Sequence, residues 1–307
     1  MKTSNRKETR IYMKLQVNDL TVEYGSAFRA VDQISVTLEQ GLTGLIGPNG
    51  AGKTTFMRAL ATLIFPTSGQ IILNEHIISE KNTEVLRHHI GYLPQSLGFH
   101  KNLTVRESLD YYGLLQEINN KDRNRRIEQL LRLTNLEDHQ HKKVRQLSGG
   151  MKRRLGLAQA LISDPEILIV DEPTVGLDPE ERINIRMLLS SLATNKIILL
   201  STHVVEDIAS ACGKVIILEK GHVAFEGPTT EIIQAAEGHV YVRTTHDEED
   251  VLKLRNSKNV TSIFYDMDGI HIRYVSMNQC EADTLVRPSL EDAYIYARQC
   301  YLEGESS

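Results

Sequence analysis

The chain has 307 residues, 41% of them apolar and 24% charged, and carries a net charge of −5. That length suffices for one large domain plus a small one around a well-buried core. No apolar run approaches the roughly 18–20 residues of a membrane-spanning helix, the acidic balance argues against a dedicated nucleic-acid binder, and Cys212, Cys280 and Cys300 are too scattered for a disulfide framework or a metal site.

Residues 1–12 are polar and basic (Lys2, Arg6, Lys7, Arg10) and lack an apolar h-region. They read as a disordered extension rather than a secretory signal, with Met13 an alternative start and a membrane-surface role as the other reading. Leu15–Tyr24 alternates apolar and polar residues, which predicts a half-buried strand, and Val31–Leu38 repeats the pattern as its antiparallel partner. Leu42–Ile46 is a short apolar strand that runs into Gly47-Pro48-Asn49-Gly50-Ala51-Gly52-Lys53-Thr54, which fits G-x-x-x-x-G-K-[ST]. A helix should follow from Gly52 to about Ile64, where Pro66-Thr67-Ser68-Gly69 breaks it.

From about 96 to 162 the character is helical. Thr104-Val105-Arg106-Glu107 has capping-box spacing before Ser108–Ile118, Lys121–Leu133 puts Ile127, Leu130 and Leu131 on one face, and Met151–Ile162 is a third helix. The basic residues of this stretch (Arg123, Arg125, Arg126, Lys142, Lys143, Lys152, Arg153, Arg154) read as a solvated helix face, with contact to a membrane subunit or to nucleic acid as the other readings. Strands return at Ile167–Val170, Ile197–Leu200 and Val215–Leu218, separated by helical stretches. That alternation predicts an α/β fold with a mostly parallel, doubly wound sheet, antiparallel strands before it and a helical insertion within it.

After Gly227-Pro228 the pattern gives a helix near Thr230–Ala236, a break at Gly238, and strands at Val240–Arg243, Val260–Tyr265 and Ile270–Tyr274, with Asp268-Gly269 a hairpin dipeptide. Ser289, in Pro288-Ser289-Leu290-Glu291-Asp292, is the natural N-cap of a terminal helix. The expected organisation is a main unit at 13–237 and a small α+β accessory domain at 238–307.

The glycine loop carries the first chemistry. Gly47, Gly50 and Gly52, with Pro48, Asn49, Ala51 and Thr55 around them, let the backbone fold about β- and γ-phosphates, Lys53 neutralises them, and Thr54 offers a hydroxyl to Mg²⁺. Ile167–Val170 ends in Asp171-Glu172, acids at the carboxyl edge of a sheet beside that loop. Asp171 would hold Mg²⁺, usually through water, and Glu172 would act as general base; in isolation the pair reads equally as an acidic helix-starting turn. Gln95 can reach metal or water, and His203 can donate a hydrogen bond to a γ-phosphate, although each alone is an ordinary surface residue. Tyr24 is placed for its ring to stack on adenine, or else fills core. Gly176-Leu177-Asp178-Pro179 is by itself a helix-entry turn. Leu147-Ser148-Gly149-Gly150 is a second phosphate grip, since a serine and two glycines opening a helix present free N–H groups to an anion. One domain hydrolysing one nucleotide does not need two such grips.

In order and spacing, Tyr24, the glycine loop, Gln95, Leu147–Gly150, Asp171-Glu172, Asp178 and His203 resemble the A-loop, Walker A, Q-loop, signature, Walker B, D-loop and H-loop of the nucleotide-binding subunit of ABC transporters, over roughly Met13–Gly227. The resemblance implies a P-loop NTPase fold and an ATP hydrolase that uses Mg²⁺. It also implies a head-to-tail dimer, with itself or a related ATPase subunit, in which Ser148, Gly149 and Gly150 bind the partner's γ-phosphate and Asp178 communicates between the sites. Motion would pass through the Gln95 loop and the helical insertion to separate membrane permease subunits, with no role for nucleic acid. The chain would then be cytoplasmic and peripheral on the inner face of the cell membrane. Gly150-Met151-Lys152-Arg153-Arg154, Tyr92-Leu93-Pro94-Gln95 and the terminal Pro288–Asp292 stretch look like the ABC-2 group of prokaryotic exporters, which includes drug- and antibiotic-peptide-resistance ATPases. The alternatives are a non-transport ABC ATPase, whose repair members carry a long coiled coil and whose translation members carry two cassettes, and a regulatory module that binds ATP without turnover. Retention of Glu172 and His203 argues against the last.

Overall fold

A computed structural model describes residues 13–25, 28–257, 259–278, 280 and 282–304; the basic stretch 1–12 lies outside these. Strands β1 (Leu15–Tyr24) and β2 (Phe28–Leu38) pair antiparallel, and Leu15, Val17, Leu20 and Val22 are buried as their alternation requires. Next come β3 (Gly41–Ile46) and α1 (Lys53–Leu60). The helix stops one turn short of the expected Ile64. Thr62 takes a left-handed φ of 56°, its N–H bonds the Ala59 carbonyl, and the Leu63 N–H bonds the Arg58 carbonyl. That is the Schellman pattern, which closes a helix before any proline is needed. Strands β4 (Ser68–Leu73) and β5 (His76–Ile78) then extend the first hairpin into a four-stranded antiparallel sheet of order β2-β1-β4-β5.

The short α2 (Thr83–Arg87) leads to β6 (Ile90–Leu93), followed by the helical insertion, α3 (Val105–Leu115), α4 (Asn120–Leu133) and α5 (Gly149–Ala160). Thr104 and Glu107 form the expected capping box. The central sheet is completed by β7 (Ile167–Asp171), α6 (Pro179–Ala193), β8 (Ile197–Ser201), α7 (Val205–Ala211), β9 (Lys214–Glu219) and β10 (His222–Pro228). Its order is β10-β9-β3-β8-β7-β6, parallel except for the β10 edge. Alternate residues of each central strand serve opposite layers. Leu45, Ile167, Ile169, Ile197, Leu199 and Ile216 pack toward the antiparallel sheet and α1, while Ile46, Leu168, Val170, Ile198, Leu200 and Ile217 pack toward the helical side.

The basic row of the insertion is only in part the solvated face its composition suggests: Arg125, Lys142 and Lys143 are exposed, while several of its arginines are not. Arg123 is buried and donates to Asp110 at 2.6 Å and to the Ile118 carbonyl at 2.7 Å. Arg126 holds the Leu161 carbonyl at 2.8 Å, Arg153 the Pro94 carbonyl at 3.0 Å, and Arg154 the Asn135 carbonyl at 3.0 Å. These guanidiniums donate to carbonyls at helix ends and loops, where the helical ladder leaves acceptors open. Of the five arginines at 123, 125, 126, 153 and 154, Arg125 alone is exposed, with 72% of its side chain accessible.

Past α8 (Thr229–Ala235), β11 (Val240–Thr245), α9 (Glu248–Ser257), β12 (Asn259–Asp266), β13 (Gly269–Val275) and β14 (Thr284–Leu285) build a second antiparallel sheet of order β12-β13-β11-β14. The hairpin closes on the Asp266–Gly269 pair, as the dipeptide signal indicates. The terminal α10 (Leu290–Gly304) belongs to both halves: Leu290 and Ala293 enter the central core beside Ile208, while Asp292 is anchored to the second sheet. Asp292 has a fully buried side chain that accepts from Arg273 at 2.6 and 2.9 Å, from Thr261 at 2.7 Å and from the Ser289 N–H at 2.7 Å. Burial pushes its carboxyl pKa up, but these donors outweigh burial and hold it below the ordinary value. The stabilisation is therefore present above the ordinary carboxylate range and lost as pH falls through the depressed folded value. Asp292→Ala should lower unfolding free energy by about 3 kcal/mol, the low end for breaking a buried pair because Arg273 reaches solvent. Denaturant titration measures it, and a loss below about 1 kcal/mol would contradict the anchoring role.

Candidate functional site

The glycine loop joins β3 to α1 and is shaped by the strands beneath it. A Cβ at Gly47 would stand 2.3 Å from the Leu218 carbonyl oxygen, and one at Gly52 2.2 Å from that of Ala30, where φ is also +101°. Gly50, at φ +83°, meets nothing within 4 Å. The outer glycines thus let the loop lie against the sheet, and the middle one leaves its concave side open. Gly52 caps α1 without a side chain, so the first-turn N–H groups face outward as an anion site. Lys53 is buried and its Nζ donates to the carbonyls of Gly47 (2.7 Å) and Pro48 (3.1 Å). Burial pulls this ammonium below the ordinary lysine value, against the opposing pull of Glu172 and Asp171.

A cleft opens above the loop, lined by Tyr24, Phe28, Ala30, Asn49, Gly50, Ala51, Gly52, Lys53, Thr54, Thr55, Gln95 and Glu172. Tyr24 and Phe28 are cross-strand partners at the turn end of the first hairpin, 44% and 61% exposed. Two exposed rings beside a phosphate loop make a stacking edge for a planar base. The second ring, Phe28, was not anticipated; its signal is an aromatic opening the strand straight after the Gly25 turn.

At the carboxyl edge of the sheet, Asp171 is 2% exposed and its Oδ1 accepts from the Ser201 hydroxyl at 2.6 Å. Its Oδ2 is buried without a partner among the described residues. A buried carboxylate oxygen left open near Lys53 of the phosphate loop suits a hard divalent cation or its water. Among the described residues no three His, Cys, Asp or Glu side chains cluster as a cage. The donor set fits Mg²⁺, which commonly uses one or two carboxylates together with substrate phosphates.

Glu172 adopts a left-handed φ of 48°, rare for a residue with a side chain, and its N–H is held by the carbonyl and hydroxyl of Ser201, each at 3.1 Å. A strained residue of this kind at the carboxyl edge of the sheet is consistent with a functional role. Its Oε2 accepts from Gln95 Nε2 at 3.1 Å and lies 3.3 Å from His203 Nδ1. The ends of β6, β7 and β8 thus bring Gln95, Glu172 and His203 onto one carboxylate oxygen. Ser201 sits directly beside Asp171 in the parallel register, a pairing absent from the sequence-based expectation because it crosses two strands.

The second grip lies elsewhere. Ser148 caps α5, its Oγ accepting from the Met151 N–H at 3.2 Å, and Asp178 caps α6, accepting from the Glu181 N–H at 2.9 Å. A Cβ at Gly150 would meet Glu181 Cδ at 2.9 Å, and Glu181 in turn binds Arg154 at 2.9 Å. Ser148, Gly149, Gly150 and Asp178 are not among the residues lining the cleft.

Comparison with known proteins gives a consistent result. Residues 31–175 match the family described as ABC transporter. The chain is 35% identical over 279 residues to an ABC transporter ATP-binding protein of Synechocystis sp., covering 85% of this chain and 76% of the relative. It is 35% identical over 269 residues to the bacitracin transport ATP-binding protein BcrA of Bacillus licheniformis, with 86% of each chain covered. Among solved structures it is similar to cbiO1 from Clostridium perfringens, part of the ABC transporter complex cbiONQ, at a TM-score of 0.65 and 26% identity, over 79% of this chain and 94% of that one.

Proposed function

Because this chain belongs to the ABC transporter family as an ATP-binding, ATP-hydrolysing subunit, we propose that it works as a head-to-tail dimer that powers an ABC-2-type exporter whose permease is a separate chain. The observation that carries the dimer is the position of Ser148, Gly149 and Gly150 outside the cleft that holds Lys53. An N-terminal grip with no anion in its own chain's reach is complete once a second subunit presents a nucleotide to it. Asp178, tied through the Glu181 N–H to the same helix pair, would register that contact.

Within each site, Tyr24 with Phe28 stacks the base and Gly47–Thr55 cradles the phosphates, with Lys53 opposing their charge. Thr54, Asp171 and Gln95 would hold Mg²⁺, which neutralises phosphate oxygens when bound. Glu172 accepts a proton from water, and His203, half-exposed and adjacent to Glu172 Oε2, donates to the terminal phosphate. A nucleotide bridging two subunits binds the closed state better than the open one, which is the differential contact a conformational change requires.

No described helix is long and apolar enough to cross a membrane; in this reading a separate permease does the spanning and the chain works against its cytoplasmic face. The export direction is supported by the bacitracin-transport relative and by Met151-Lys152-Arg153-Arg154 after the two glycines. The main unit is taken as 13–237 and the accessory part as 238–307, with α10 reaching back across that boundary. Sedimentation of the full chain carrying Glu172→Gln tests the dimer. We expect a monomer without nucleotide and a dimer with Mg²⁺ and ATP; a monomer under both conditions would overturn the shared site.

A further inference from the structure

The C-terminal helix reaches the catalytic edge. A crevice on the flank of the glycine loop is lined by Gly47, Pro48, Asn49, Thr202, His203 and, from α10, Tyr294. This ring is the point at which the accessory part of the chain meets both the phosphate loop and the segment that carries His203.

Three anchors set where Tyr294 stands. Asp292, two residues earlier, is locked to Arg273 of β13. Ala293 is fully buried in the central core, where Ile208 of α7 also packs. Arg298, one turn later, pairs with Glu219 at the end of β9, and its guanidinium lies 5.5 Å from the centre of the Tyr294 ring. Glu219 directly follows Leu218, the residue whose carbonyl sits under Gly47. The helix is thus fastened to the second sheet at one end and beneath the glycine loop at the other, with the tyrosine between.

His203 needs such support. Its side chain is 54% exposed, so packing does not dictate the aim of the imidazole toward Glu172. The aim depends on the backbone of residues 202–205, of which Thr202 is buried and bonds the Val204 N–H through its hydroxyl at 3.0 Å. Val205 then starts α7, a short helix packed against α10. Tyr294 lines the crevice that this segment shares with the glycine loop.

We propose that Tyr294 is a positioning residue for His203: its ring wedges the 202–205 segment against the glycine loop and thereby sets the imidazole for catalysis. Through Asp292 and Arg273, displacement of the second sheet is transmitted to the same point. The proposal rests on the reading of Glu172 and His203 as catalytic groups.

The test is steady-state ATP hydrolysis by the full-length chain. Tyr294→Ala should lower kcat about 10-fold, on the scale by which small misplacements of a catalytic group slow a reaction, while ATP KM stays within about twofold. Tyr294→Phe, which keeps the ring, should remain within about twofold of the parent in both. In a His203→Ala background, adding Tyr294→Ala should change the residual kcat by less than about twofold, since a group that acts through His203 has nothing left to position. Should the alanine variant not fold, Tyr294→Leu, with shorter reach into the crevice, is measured in its place. Parental turnover in Tyr294→Ala, with Glu172→Gln inactive, overturns this proposal alone, as does a full 10-fold loss persisting without His203. Parental turnover in both Glu172→Gln and His203→Ala overturns the reading of the site on which the proposal stands.

Discussion

Glu172→Gln is expected to reduce ATP turnover at least ~100-fold, the contribution a positioned general base makes, while ATP affinity stays within about twofold. The substitution is a narrow one. Glutamine fills the same space, and its backbone N–H can keep both bonds to Ser201. What it loses is the capacity to take a proton at the oxygen where Gln95 and His203 meet. A change confined to that oxygen separates chemistry from binding: the rings of Tyr24 and Phe28, the loop amides and Lys53 are untouched. Single-turnover hydrolysis beside a fluorescent-nucleotide titration measures the two quantities. Turnover within tenfold of the parent would remove Glu172 from the role of base.

A Lys53→Ala chain and a Ser148→Arg chain, each nearly inactive alone, are expected to recover activity when mixed. Lys53→Ala removes the ammonium from the loop, and Ser148→Arg removes the cap of α5 and blocks its mouth, with about 1 kcal/mol of lost capping against a far larger loss of phosphate binding. In a two-fold dimer the mixed species has one site with both lesions and one with neither, so random pairing should return about a quarter of parental turnover. The expectation rests on Ser148 lying outside the lining of the cleft that includes Lys53. Had Ser148 and Lys53 faced each other in a single subunit, no mixture could rebuild a site. Activity equal to the sum of the two parents would exclude sharing.

The parts of this molecule that were legible in its sequence are those with short-range causes. The strands around Ile167–Val170 and Ile197–Leu200 are buried on both faces and read as continuous apolar runs. The starts of α3, α5, α6 and α10 were marked by Thr104, Ser148, Asp178 and Ser289, whose side-chain bonds lie within three residues. What stayed hidden depends on distant partners. The Ser201 hydroxyl serves Asp171 only because β7 and β8 are neighbours in a particular register. Arg123 and Arg153 look like surface charge until the carbonyls of Ile118 and Pro94 are placed beside them. The strand pair β4–β5 and the mostly polar α9 are too short or too polar to show a period. The reach of Tyr294 to the glycine loop crosses nearly the whole chain, and no local pattern carries it.

Arg154 and Glu181 bind each other across α5 and α6, with the Glu181 side chain against Gly150 and its N–H on Asp178. Arg154 Nε and Glu181 Oε2 have no further partner among the described residues, so each charge depends on the other. For protein engineering this makes the two helices a single exchangeable cassette. A signature helix transplanted from a relative will function here only if the graft also brings that relative's residue at position 181, because a donor helix alone strands one half of the ion pair in the interior.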